Sequence, residues 1–153
     1  MYLVSRTGER GIPMASNEAG LRTELVKAFQ KVAFTQTISQ RFVAGMPDLL
    51  VCWTGDVWFF ELKFVMVDHA QPLIKMTDLQ RSWMRRYQNE GGNAAWVVCN
   101  QVDSLEWSLY AGIDPNQTRC AEFDLALTRR RGVSWDVLRL LDFLNQKREE
   151  RGR

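Results

Sequence analysis

One histidine and three scattered cysteines leave this chain without the ligand set that holds zinc. Cys52, Cys99 and Cys120 are odd in number and far apart, which excludes a disulfide framework and reads as reduced thiols inside a core. No stretch approaches the roughly 20 consecutive apolar residues that cross a bilayer, and the first residues lack a signal-peptide pattern. A soluble protein of the cytoplasm is expected, with no membrane partner. Repeats and low-complexity tracts are also missing. Charge of one sign is scarce: 20 basic against 18 acidic residues give +2. Its distribution is more telling, because residues 1–47 carry Arg6, Arg10, Arg22, Lys27, Lys31 and Arg41 against Glu9, Glu18 and Glu24. That excess permits a phosphate-facing surface.

What the chain does have is enough apolar residue, 46% of 153, for one domain with a sizeable core. Its central stretch is PDLLVCWTGDVWFFELK, residues 47–63. Apolar runs on either side of Thr54-Gly55-Asp56 predict strands over 48–53 and 57–64 joined by a tight turn. Period-two geometry sets Val57, Phe59, Glu61 and Lys63 on one face and Trp58, Phe60, Leu62 and Phe64 on the other. A carboxylate and an ammonium thus share a face of a buried-looking strand, where uncompensated charge costs several kcal/mol as an order of magnitude. A metal ion or an anionic substrate is the natural compensation.

Around that hairpin the patterns are simpler. Residues 1–17 read as an arm. Asn17 caps a helix over 18–34 with Leu21, Leu25, Phe29 and Val32 as its apolar stripe. Residues 35–44 suggest an irregular strand, and Gly45 a close turn before Asp48. Thr77 caps a helix over 78–90 that stops at Gly91-Gly92, and 94–99 is a buried strand, so 57–99 makes a βαβ unit with parallel strands. Residues 105–110 fit either a strand or a short helix, and 123–127 a short strand. Ser134 is the expected cap of a last helix, with a basic, frayed tail from Lys147 to Arg153. Trp107 and Trp135 are candidates for a dimer seam.

Asp48, Glu61 and the carbonyl of Leu62, between Glu61 and Lys63, are hard oxygen donors at adjoining strand ends. They suit Mg²⁺, with Mn²⁺ substituting, far better than Zn²⁺. A third carboxylate from the first helix, either Glu18 or Glu24, would complete an acidic cluster. Lys63 is placed to orient water or to stabilise developing negative charge. Metal-dependent hydrolysis of a phosphodiester follows from such a set.

These motifs resemble the PD-(D/E)XK nuclease superfamily: Pro47-Asp48, then Glu61-Leu62-Lys63. GMPDLLVCWTGDVWFFELK followed by MTDLQRSWMRRYQNEGGNAAWVV is similar to the VRR-NUC branch, over about residues 18–99. The resemblance implies an α/β fold with a restriction-endonuclease-like core, a mixed β-sheet flanked by helices, in a single nuclease domain over 18–146. It implies metal ligation by Asp48 and Glu61, a transition-state role for Lys63, a supporting role for Gln80, and Glu18 as the matching helix acid with Glu24 its competitor. Small members of this branch occur in bacteria and bacteriophages and are similar in scale to dimeric Holliday-junction resolvases. A homodimer acting on branched DNA in a bacterial cell or phage-infected host is therefore expected, with Arg41, Arg81 and Arg85 as DNA contacts. A flap nuclease, exonuclease or nicking enzyme on the same core, or a non-catalytic nucleic-acid-binding or assembly module, are the alternatives.

Overall fold

The computed structural model describes residues 16–39 and 43–152. Its elements run α1 (Glu18–Gln30), β1 (Phe34–Thr37), β2 (Leu49–Trp53), β3 (Asp56–Val65), α2 (Asp78–Asn89), β4 (Asn93–Gln101), β5 (Glu106–Gly112), β6 (Leu125–Arg130) and α3 (Val137–Arg151). The strands form one sheet in the order β1-β2-β3-β4-β5-β6. Among the described strands only β3 and β4 pair in parallel, with Trp58 opposite Asn93 and Val65 opposite Asn100. All other neighbours are antiparallel. This is the α/β class expected, a mixed sheet flanked by helices, and the helix between β3 and β4 is what makes their parallel pairing possible.

Alternation along β3 assigns the two faces. Trp58, Phe60 and Leu62 join Leu21, Leu25 and Phe29 of α1 and Leu140, Leu141 and Leu144 of α3 in the larger core. Phe59 and Val65 turn to the other face, where α2 contributes Met84, Trp83 and Tyr87 to a second cluster. Glu61 and Lys63 lie in that second set by period two, so they open beside α2. Trp107 and Trp135 are 1% and 5% exposed and belong to the larger core. They are therefore not available for the dimer seam suggested by sequence.

Several boundaries differ from expectation. α1 stops at Gln30 rather than 34, because the chain must turn into β1. β1 ends at Thr37, opposite Leu49, instead of continuing to 44. β2 begins only at Leu49, since Pro47 has no N–H for a ladder and the chain turns at Gly45. Glu106–Gly112 resolves to a strand, entered through an Asp103 carboxylate that accepts from the Leu105 and Glu106 N–H groups. Asp136 rather than Ser134 caps α3, accepting from Arg139 N. The segment expected to fray from Lys147 is helical to Arg151, helped by Lys147–Glu150 on one face and Arg148–Asp56 (3.1 Å) to the sheet.

The β2–β3 turn carries strain. Thr54 and Gly55 both have positive φ, 50° and 88°, the pattern of a two-residue turn that favours Asn-Gly. A β-branched residue pays about 1 kcal/mol or more there. Thr54→Asn should raise stability by about 0.5–1 kcal/mol, read as a higher urea midpoint at unchanged slope; an unchanged or lower midpoint contradicts this account of the turn.

The thiols behave as core groups. Burial pushes Cys99 up to about 12, with Glu24 adding to it, and pushes Cys120 up to about 12, with Asp124 adding. Raised values favour the thiol form, so their stabilising contribution is intact below the unfolded thiol range near 8.5 and is lost as pH climbs toward 12. Iodoacetamide at pH 8.5 should label half-buried Cys52 first and leave Cys99 and Cys120 unmodified in the folded protein. Mass mapping that finds all three labelled at one rate would refute it.

Candidate active site

Asp48 lies one residue ahead of β2 and brackets Glu61. Its N–H donates to the Phe60 carbonyl (2.9 Å), and its Oδ2 accepts from Leu62 N (2.8 Å). The two carboxylates are therefore brought together at the meeting ends of β2 and β3. Both are buried, at 7% and 3% exposure. Because the Leu62 N–H points to the β2 side, its carbonyl points that way as well. The next ladder donor would be Met46, whose N–H goes instead to Val43 O (3.3 Å). The ladder thus stops short of the Leu62 carbonyl, beside Asp48.

Lys63 Nζ stands 3.4 Å from Glu61 Oε2. Gln80 reaches the same oxygen, donating from Nε2 at 3.0 Å. Gln80 has two tasks: its Oε1 accepts from Thr77 N while its own N–H donates to the Thr77 hydroxyl, a closed capping box. The cap fixes the amide so that its NH₂ end faces Glu61. Arg22 of α1 approaches Asp48 Oδ1 at 4.0 Å, a basic neighbour that the sequence reading did not single out.

Gly45 ties the loop before Asp48 to this cap. With φ +87°, a Cβ there would stand 2.3 Å from the Leu79 carbonyl oxygen and 3.0 Å from Gln80 N. Gly45→Ala must therefore push the first turn of α2, and Gln80 with it, away from Glu61. The variant should lose about 1–3 kcal/mol of stability, measured by denaturation. Retention of wild-type stability would show that the close approach is dispensable.

The remaining sequence candidates are placed elsewhere. Glu18 is exposed in the first turn of α1. Glu24 is ion-paired with Arg129, whose side chain is 3% exposed and which also donates to Val133 O (2.9 Å) and lies 4.5 Å from the Trp135 ring centre. Among the described residues no three His, Cys, Asp or Glu side chains gather to hold a metal ion. The third carboxylate expected from the first helix is thus not assembled with Asp48 and Glu61. Arg81, expected as a DNA contact, donates from its guanidinium to the carbonyls of Ile74 (2.7 Å), Pro115 (2.9 Å) and Gln117 (2.6 Å). It anchors the start of α2 to two loops and so steadies Gln80. Arg85 is exposed and donates to Asn116 Oδ1. Arg41 lies outside the described residues. His69 is exposed, with Nδ1 2.9 Å from the Ala70 carbonyl.

No family model matches the chain, and no curated protein matches it. Among solved structures it is similar to Hjc, a Holliday junction resolvase from the archaeal hyperthermophile Archaeoglobus fulgidus. That match has a TM-score of 0.44 and 11% identity, and covers 67% of this chain and 85% of the resolvase. No helix among the described residues is long and apolar enough to cross a membrane.

Proposed function

We propose that this protein is a metal-dependent, structure-selective endonuclease of the PD-(D/E)XK superfamily, similar to its VRR-NUC branch, which hydrolyses phosphodiester bonds in branched DNA. The observation that carries this reading is the meeting of Asp48, Glu61 and Lys63 at adjoining ends of β2 and β3. Two acids and a lysine brought together at one strand junction are the grouping that metal-assisted phosphodiester hydrolysis uses.

The donors fit Mg²⁺, which is held by one or two carboxylates and completed by waters and substrate phosphate. Asp48, Glu61 and the Leu62 carbonyl would hold it. When bound, it supplies charge for the phosphate in the transition state and lowers the cost of deprotonating water. Lys63 orients the attacking water and balances the charge growing on a non-bridging oxygen. Gln80 holds Glu61 through one oxygen, so that the carboxylate does not rotate as charge moves. Water adds to phosphorus, the bond to the 3′ oxygen breaks, and the products carry a 5′-phosphate and a 3′-hydroxyl. In a homodimer two such sites would face opposing strands of a junction, with Arg41 and Arg85 as further backbone contacts.

Labelled four-way junctions, flaps, nicked and plain duplexes and single strands, each with Mg²⁺, Mn²⁺ or EDTA, test the reading. Paired metal-dependent cuts in the junction are expected. Cutting confined to flaps or ends would replace the substrate and keep the chemistry, and binding without cutting under every condition would reduce the protein to a binding module.

A further inference from the structure

The stripe of α2 that carries Gln80 continues into Trp83 and Tyr87, at positions three and seven residues on. Helical rise sets these about 5 and 10 Å along the axis from Gln80. Trp83 and Tyr87 stack with centroids 5.0 Å apart, and both meet Phe59 edge-on at 5.3 and 5.2 Å. Phe59 is two residues before Glu61 on the same face of β3. The acid pair and the aromatic group are therefore neighbours on one face, joined through β3 and α2.

Beside these rings is an open groove of about 460 Å³ lined by Val43, Trp83, Arg86, Tyr87, Asn89 and Glu90. Trp83 and Tyr87 are only partly buried, and Arg86 is exposed on the same rim. Paired bases are stacked inside a duplex and cannot enter such a groove. An unpaired base has a free π-face for aromatic stacking, and its own phosphate is drawn to an arginine. A strand whose phosphate reaches Lys63 brings its neighbouring nucleotides to this distance along α2. Asn89 adds an amide suited to a base edge.

We infer that the Trp83–Tyr87–Arg86 groove receives a nucleotide left unpaired at a branch point, next to the scissile phosphate, so that branched DNA is cut where its pairing opens at the crossover or at the base of a flap. This rests on the nuclease reading for its position, while the groove's binding is measurable without cleavage. The occupant is one nucleotide of DNA; a protein partner's aromatic side chain is the competing occupant.

The test uses the full chain carrying Lys63→Ala, so that DNA stays intact, and a duplex with a short flap whose first unpaired position is 2-aminopurine. Binding should quench its fluorescence and be about tenfold weaker for Trp83→Leu and a few-fold weaker for Arg86→Ala. Arg86→Ala alters an exposed side chain and keeps the test valid if Trp83→Leu unfolds. An abasic site at that position should erase the difference between Trp83→Leu and its parent and leave that of Arg86→Ala, whose partner is the phosphate. Equal affinity of parent and Arg86→Ala for the flap, or no quenching on saturation, overturns the groove. In the Lys63-intact protein, cleavage with no variant effect would sink the groove and leave the nuclease reading standing. Quenching and variant effects with no cleavage by that protein would do the reverse.

Discussion

Lys63→Ala should lower the single-turnover rate of phosphodiester cleavage by about 10²–10³-fold or more, the usual cost of deleting one preorganised charge donor, while the fold persists. The side chain is 13% exposed and its Nζ is 3.4 Å from Glu61, which keeps its bond from Gln80 when the ammonium is gone. Stability should therefore fall modestly, by about 1–2 kcal/mol, since the carboxylate stays partly satisfied. Activity and stability are expected to separate. A variant that still cuts at the wild-type rate would remove Lys63 from the chemistry, and one that merely unfolds would show a structural ion pair.

The largest stability effect lies at the other carboxylate of the first helix. Arg129 is nearly buried, ion-paired to Glu24 and set against the Trp135 ring. Burial pulls its pKa down, and the Glu24 charge offsets this in part. Arg129→Ala should cost about 3–5 kcal/mol, because it takes the cation out of an ion pair whose two side chains are nearly buried. Replacing both partners, Glu24→Gln with Arg129→Met, should recover most of that loss, as measured by urea denaturation. Equal losses in the single and double variants would mean that the volume of the arginine matters and its charge does not. Cleavage per folded molecule should be unchanged in Glu24→Gln, the outcome that separates a structural Glu24 from a metal ligand.

These two carboxylates show what was legible in the sequence. Asp48, Glu61 and Lys63 could be read because strand periodicity is rigid: residues two apart share a face, and a hairpin turn sets which strand ends meet. Gln80 was reached only through the family resemblance; its spacing from Thr77 marks a capping box and does not say that the same amide also reaches across to Glu61. Glu24 was ambiguous because a helical stripe gives the face and not the partner. Its ion-pair partner Arg129 is 105 residues away on β6, beyond the reach of any helical or strand period. Alternation along β6 turns Arg129 inward between exposed Thr128 and Arg130, a placement that only strand pairing with β5 defines. Arg81 was obscured for a similar reason: its three acceptors are backbone carbonyls in loops, which leave no trace in residue type. Arg22 follows the α1 periodicity, but its approach to Asp48 depends on how that helix lies on the sheet.

Single-turnover cutting of a 5′-labelled four-way junction, followed as Mg²⁺ is raised from zero with the wild type and Lys63→Ala in parallel, tests the central claim most directly. The account predicts metal-dependent paired cuts with 5′-phosphate ends for the wild type, a rate lower by about 10²–10³-fold or more for the variant, and no cuts in EDTA. Cutting that survives EDTA, or equal rates for the two proteins, would contradict it.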